Sequence, residues 1–124
     1  MSNFPKMWLT LVKACPEIGE LFTPDSRQEW VCPKCLKNLG TLQDEIYCDC
    51  SMARLQPIPR LDQLVGMVKS PCFYLYVSPA YCKFTIDSAV KPVETKADTP
   101  EEAVVLGIAH EHGLAWTGEA WERR

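Results

Sequence analysis

Beyond residue 59 the apolar positions keep two clear periods. Leu61, Leu64, Val65 and Val68 recur at i, i+3, i+4 and i+7, lining one helical face, and predict a helix over 59–69 that Ser70-Pro71 ends. Residues 72–78 and 81–87 are rich in aromatic and β-branched side chains and meet at Pro79-Ala80, the pattern of an antiparallel hairpin. Alternation along its first strand sets Phe73, Leu75 and Val77 on one side and Tyr74 and Tyr76 on the other. Residues 88–98 read as a loop. Thr99-Pro-Glu-Glu102 then carries three helix-start signals: a capping threonine, proline at the first helical position and a glutamate completing a capping box. The helix it starts should run over 100–112, with Gly113 in the left-handed position that closes it. Ala103, Val104, Gly107 and Ile108 form its small, close-packing face. Residues 114–122, with Trp116 and Trp121, are a candidate third strand.

The first half is patterned less strongly. Met7-Trp-Leu-Thr-Leu-Val12 is apolar but short, bracketed by Lys6 and Lys13, and predicts an amphipathic helix interrupted at Pro16. A signal-peptide core or a membrane span needs a longer apolar run, so the expected compartment is the cytosol, with no membrane partner. Over 29–52 the only residues available for a core are Trp30, Val31, Leu36, Leu39, Leu42, Ile46 and Tyr47. Gln56-Pro-Ile-Pro59 reads as a stiff joint, because each proline fixes its own φ and disfavours helix just before it. The expected organisation is therefore two units, 1–56 and 57–124. The expected class is α+β: an N-terminal helix, a stapled module, then two helices across one face of a short sheet.

The staple is legible in four cysteines, Cys32-Pro-Lys-Cys35 and Cys48-Asp-Cys50. The first spacing lets two thiolates converge from a tight turn. The second, at i and i+2, puts both sulfurs on one face of an extended strand. Four converging thiolates are the ligand set of a closed tetrahedral Zn2+ site, and such a site supplies about 10–16 kcal/mol of apparent binding energy to a segment with little core. Disulfides, an iron centre of rubredoxin type and a redox Cys-x-x-Cys pair are the alternatives. Without a secretory signal paired cysteines favour metal over disulfide, and no βαβ context supports the redox pair. The segment 29–52 resembles a zinc ribbon with Cys32-Pro-Lys-Cys35 as its knuckle, which implies architecture and a structural zinc but no particular function.

At 124 residues and 47% hydrophobic the chain can build a real core, and its ten prolines fall mostly between elements. The net charge is −3, and four thiolates around one Zn2+ would add two more negative charges. That balance disfavours a broad grip on nucleic acid, which needs clustered Lys and Arg; Arg123-Arg124 is the sole basic cluster.

Candidates for catalysis are few. On a helix His110 and His112 point roughly 200° apart and cannot share an ion as an i, i+4 pair can; they complement the negative end of the helix dipole instead. No phosphate loop, nucleophile elbow or spaced acidic set is present. Cys15, Cys72 and Cys82 lie among apolar residues and are expected to be buried thiols. The aromatic residues around the hairpin are too many for one face, so Tyr74 and Tyr76 are the candidate partner-binding residues, unless the ribbon folds over them. Residues 61–116 weakly resemble small phage-encoded helix-hairpin-helix sandwich domains, through the Thr-Pro-Glu-Glu-Ala helix start. That resemblance implies a non-enzymatic viral or prophage accessory protein acting on a host protein. The expected function is zinc-stabilised binding of another protein, or of a second copy as a homodimer. Nucleic-acid binding through Lys34, Lys37 and Arg54 is the alternative, and an enzyme around His110 and His112 comes third.

Overall fold

The computed structural model describes residues 4–41, 47, 48, 50, 54–87 and 91–124. In chain order these form α1 (Phe4–Ala14), α2 (Pro16–Gly19), β1 (Glu29–Val31), β2 (Asn38–Thr41), β3 (Gln56–Ile58), α3 (Leu61–Gly66), β4 (Phe73–Val77), β5 (Cys82–Ile86), β6 (Val93–Ala97), α4 (Pro100–Glu111), β7 (Leu114–Trp116) and β8 (Trp121–Arg123). The protein is a mixture of helix and sheet. Pro16 both interrupts the first helix and starts the second, as proline does at a first helical position.

Three antiparallel sheets result, ordered β2-β1-β3, β4-β5-β6 and β7-β8. The hairpin forms as its alternation demands, with Val77 opposite Cys82 and Phe73 opposite Ile86. The Ser78–Tyr81 turn is closed by the Ser78 amide donating to the Tyr81 carbonyl at 3.1 Å.

Two expectations change here. The third strand of this sheet is β6, drawn from the stretch read as a loop, whereas the C-terminal residues pair with each other as β7 and β8. Val93, Thr95 and Ala97 alternate with Glu94 and Lys96, so β6 turns only a modest apolar face inward and gives a weak hydrophobic signal. Gln56–Ile58, read as a joint, is an edge strand on β1. An edge accepts Pro57 because the missing N–H is not needed on the outer side.

Helix α4 is where the sequence reading points and more. The Thr99 hydroxyl accepts from the Glu102 amide at 3.3 Å, Pro100 opens the helix, and Gly113 follows it at φ 78°. Ala103, Val104, Val105, Ile108 and Ala109 are all fully buried. A helix apolar nearly all round must be covered on several sides. Sheet β4-β5-β6 covers one side, and α1 and α3 pack on others. The arrangement is therefore sheet, central helix, then outer helices, rather than two helices sharing one sheet face. Thr95 Oγ1 stitches β6 to α4 by donating to the Ala103 carbonyl at 2.7 Å. Trp121 Nε1 ties the C-terminal hairpin to α1 through the Met7 carbonyl at 2.9 Å. Phe4, Met7, Trp8, Leu11 and Ile18 share one core with Phe84, Ile86 and Ile108.

The fully buried Gln28 joins the small sheet to α3. Its Nε2 donates to the Ile58 carbonyl and, at 3.0 Å, to Gln63 Oε1; Gln63 Nε2 donates back to Gln28 Oε1 at 2.8 Å. Nearby, Arg60 grips Asp25 with two parallel bonds of 2.9 and 2.7 Å, and this holds the Asp25 carboxyl down at about 2. Gln28→Leu keeps the volume but strands the Ile58 carbonyl and the Gln63 amide. We expect a loss of about 2–3 kcal/mol in urea unfolding, and a loss under about 0.5 would mean water satisfies both groups.

Candidate metal centre and exposed tyrosine face

The candidate metal centre is built from two turns. After β1 the chain reverses at Cys32-Pro-Lys-Cys35: the Leu36 amide donates to the Cys32 carbonyl at 2.9 Å and the Cys32 amide to the Lys37 carbonyl at 3.1 Å. Leu36 takes a left-handed φ of 61° to complete the turn. Two amides, of Lys34 and Cys35, point at Cys32 Sγ at 3.4 and 3.5 Å. N–H groups aimed at sulfur stabilise a thiolate, and they require the tight turn that the Cys-x-x-Cys spacing permits. The second pair departs from the expected strand: Cys50 lies in a turn between the partners of an isolated antiparallel bridge, Tyr47 with Arg54.

The four sulfurs lie within 4.8 Å of one another, Cys32 to Cys50 at 3.5 Å and Cys35 to Cys48 at 3.7 Å. A tetrahedron of sulfurs about 2.3 Å from a central ion has edges of about 3.8 Å, so the spacing fits a bound cation. None of the four is in a disulfide. Their proton chemistry points the same way. The Cys35 amide, helped by that of Lys34, holds the Cys32 thiol down at about 6 against burial. The Cys50 amide favours the Cys48 thiolate, but the Cys50 thiol, burial and the thiols of Cys32 and Cys35 outweigh it and push Cys48 up to about 12. So many thiolates cannot share this space without a cation to offset their repulsion.

The local core is small, as the composition requires. Cys32, Cys48 and Leu55 are buried, with Trp30 and Leu39 against them, and Val31 reaches the main core. Leu36 and Tyr47, counted as core candidates, are exposed, and Leu42 and Ile46 fall outside the described residues.

The tyrosines stand on the outer face of the larger sheet, Tyr74 at 65% and Tyr76 at 53% exposure. β4 is an edge strand, so both rings lie at the sheet's rim. Register sets Tyr74 opposite Thr85, Tyr76 opposite Lys83, and Thr85 and Lys83 opposite Glu94 and Lys96. Tyr81 joins them from the turn: its ring centroid is 5.9 Å from that of Tyr76, and Lys96 Nζ lies 5.5 Å over it. Sequence alternation alone does not give Tyr81, which precedes β5; its place at the end of a four-residue turn does. Glu94 Oε2 and Oε1 lie 3.9 and 3.8 Å from Lys83 and Lys96 Nζ, so one carboxylate partly offsets two ammonium groups.

Of the other cysteines only Cys82 is well buried; Cys15 is half-buried and Cys72 exposed, against expectation for both. Cys72 precedes β4, outside the paired residues that α4 covers. Burial lowers the basicity of both His110 and His112. Among the described residues no helix is long and apolar enough to cross a membrane. No protein-family model, characterised sequence or solved structure matches this chain.

Proposed function

We propose that the protein is a small, non-enzymatic cytoplasmic interaction module: one structural Zn2+ on Cys32, Cys35, Cys48 and Cys50 staples its smaller sheet, and the Tyr74–Tyr76–Tyr81 face of its larger sheet binds another protein. The observation that carries this reading is the exposure of those tyrosines. Exposed aromatic rings gathered along one edge of a sheet are costly to leave in water, and rings with an apolar body and a polar tip are typical anchors at protein interfaces. The lysine and glutamate surround gives such an anchor a polar rim. The four-thiolate set supports the structural role of the metal, since a closed coordination sphere has no position for a substrate.

A second reading has one observation in its favour. Lys34, Lys37 and Arg54 are exposed beside the cysteine turns, where they could meet phosphates.

A photo-crosslinking residue placed at Tyr74 should capture a protein partner or a second copy, whereas one placed at the exposed Glu119 should not. Replacing Tyr74 and Tyr76 together by Ser should weaken that association at least tenfold, about 1.4 kcal/mol or more, with the melting temperature nearly unchanged. A fall of many degrees would mark the tyrosines as core residues and end the interface reading. Tight, steeply salt-dependent binding of generic DNA or RNA, lost on Lys34→Glu with Lys37→Glu, would instead establish the second reading.

A further inference from the structure

We propose that Cys15, Glu17 and His112 form a second cation site, separate from the four-cysteine cluster, which takes one divalent ion of the zinc class and leaves a coordination position open. One ligand atom from each residue lies within 4.8 Å of the other two, although they come from opposite ends of the chain. Cys15 precedes the first residue of α2, Glu17 stands in its first turn, and His112 closes the last turn of α4.

Packing of named residues brings them together. Helix α1 lies on α4, and α2 folds back on α1 with Leu11 and Ile18 fully buried. Gly19 permits this: a Cβ there would sit 2.9 Å from Val12 Cγ1. The chain between the two helices is a single residue, Cys15, so the fold-back presents Cys15 and Glu17 together to the end of α4.

A second, independent observation concerns His112. Its Nε2 is buried and, among the described residues, has no hydrogen-bond partner. Its backbone amide is satisfied, donating to the Ala109 and Ile108 carbonyls at 3.0 and 3.3 Å. A buried ring nitrogen without a partner is uncommon, and either tautomer leaves a donor or a lone pair unused. Coordination to a cation uses the lone pair. The adjacent acid cannot serve: Glu111 Oε1 and Oε2 already accept from the Lys69 and Ser70 amides at 2.9 and 3.0 Å. Glu17 is therefore the carboxylate for the site.

The donor set selects the ion. One thiolate, one imidazole and one carboxylate suit zinc, whereas calcium and magnesium take oxygen ligands throughout. Three protein ligands leave a fourth tetrahedral position for water or an incoming anion. Glu17 is exposed, so that position is reachable from solvent.

The test is zinc content of the full chain by native mass spectrometry, after loading with zinc chloride and dialysis. The wild type should hold about two ions, and Cys15→Ser, Glu17→Gln and His112→Gln about one each. Cys48→Ser should also hold about one, the ion at this second site. Because Glu17 is exposed, Glu17→Gln reports on the site without disturbing the core. A wild type that holds one ion, lost in Cys48→Ser and kept in Glu17→Gln and His112→Gln, would overturn this inference and leave the four-cysteine reading standing. Two ions in every one of the three site variants would also overturn it. An ion kept in Cys48→Ser and lost in His112→Gln would sustain it even if the cysteine cluster proved empty.

Discussion

Replacing Cys48 by Ala should open the smaller sheet while leaving the helical core folded. Among the described residues, Cys48 and Cys32 are two of the three that are buried in the cluster of this part of the molecule, with Leu55 the third. Hydrophobic burial on that scale falls well short of the ordering entropy of the residues from β1 to β3, so the ion has to supply the difference. Removing it forfeits most of an apparent binding energy of about 10–16 kcal/mol. Losing one of four ligands should lower zinc affinity more than about 100-fold, beyond the usual effect of disturbing a neighbour of a ligand. Competition with a chromogenic chelator measures the affinity. Amide exchange should rise to solvent-limited rates across β1 and β2 and stay slow in α4. Val31 and Ile58 belong to the main core, so some loss of stability there is expected as well. Metal analysis finding iron, or no metal, in wild-type protein from rich medium would refute the zinc assignment.

The second large effect lies where α4 meets β5. Gly107 lets the helix approach so closely that a Cβ there would stand 2.5 Å from Cδ2 and Cε2 of Phe84, a fully buried ring tilted against Phe73 at 5.5 Å. Phe84→Ala empties that space and should cost about 3–5 kcal/mol. Gly107→Ala fills space already taken. Alanine is the better helix former by about 1 kcal/mol, yet a ring with no exposed edge cannot move aside, and the net result should be a loss of about 1–3 kcal/mol. In the Phe84→Ala background the clash is gone, and Gly107→Ala should become neutral or stabilising by up to about 1 kcal/mol. Chemical denaturation of the four proteins measures the cycle. Additive costs would show that helix and sheet meet more loosely than these distances indicate.

Several features were determined by the chain locally. Start and stop of α4 follow from Thr99, Pro100, Glu102 and Gly113, because caps act on backbone groups within one turn of themselves. The hairpin and its two faces follow from a period of two. The four-cysteine cluster was legible as well, since each pair needs only a short turn to aim its sulfurs, and thiol chemistry then restricts what joins them.

Tertiary structure decided the rest. That α4 is the central helix, with a sheet on one side and α1 and α3 on others, depends on which faces meet, and its composition says only that it must be covered. β6 became a strand because β5 offered it hydrogen bonds and α4 covered Val93, Thr95 and Ala97; its own alternation was too polar to announce it. Gln28 reads as a loop residue until Gln63 and the Ile58 carbonyl arrive from thirty or more residues along the chain. The same holds for His112, which looked like a helix-end charge beside His110. Its neighbours Cys15 and Glu17 stand at the other end of the chain, and only the folding of α2 onto α1, and of α1 onto α4, sets them side by side. Local periodicity carries no information about such meetings, because they are fixed by packing between elements rather than by the spacing of residues within one.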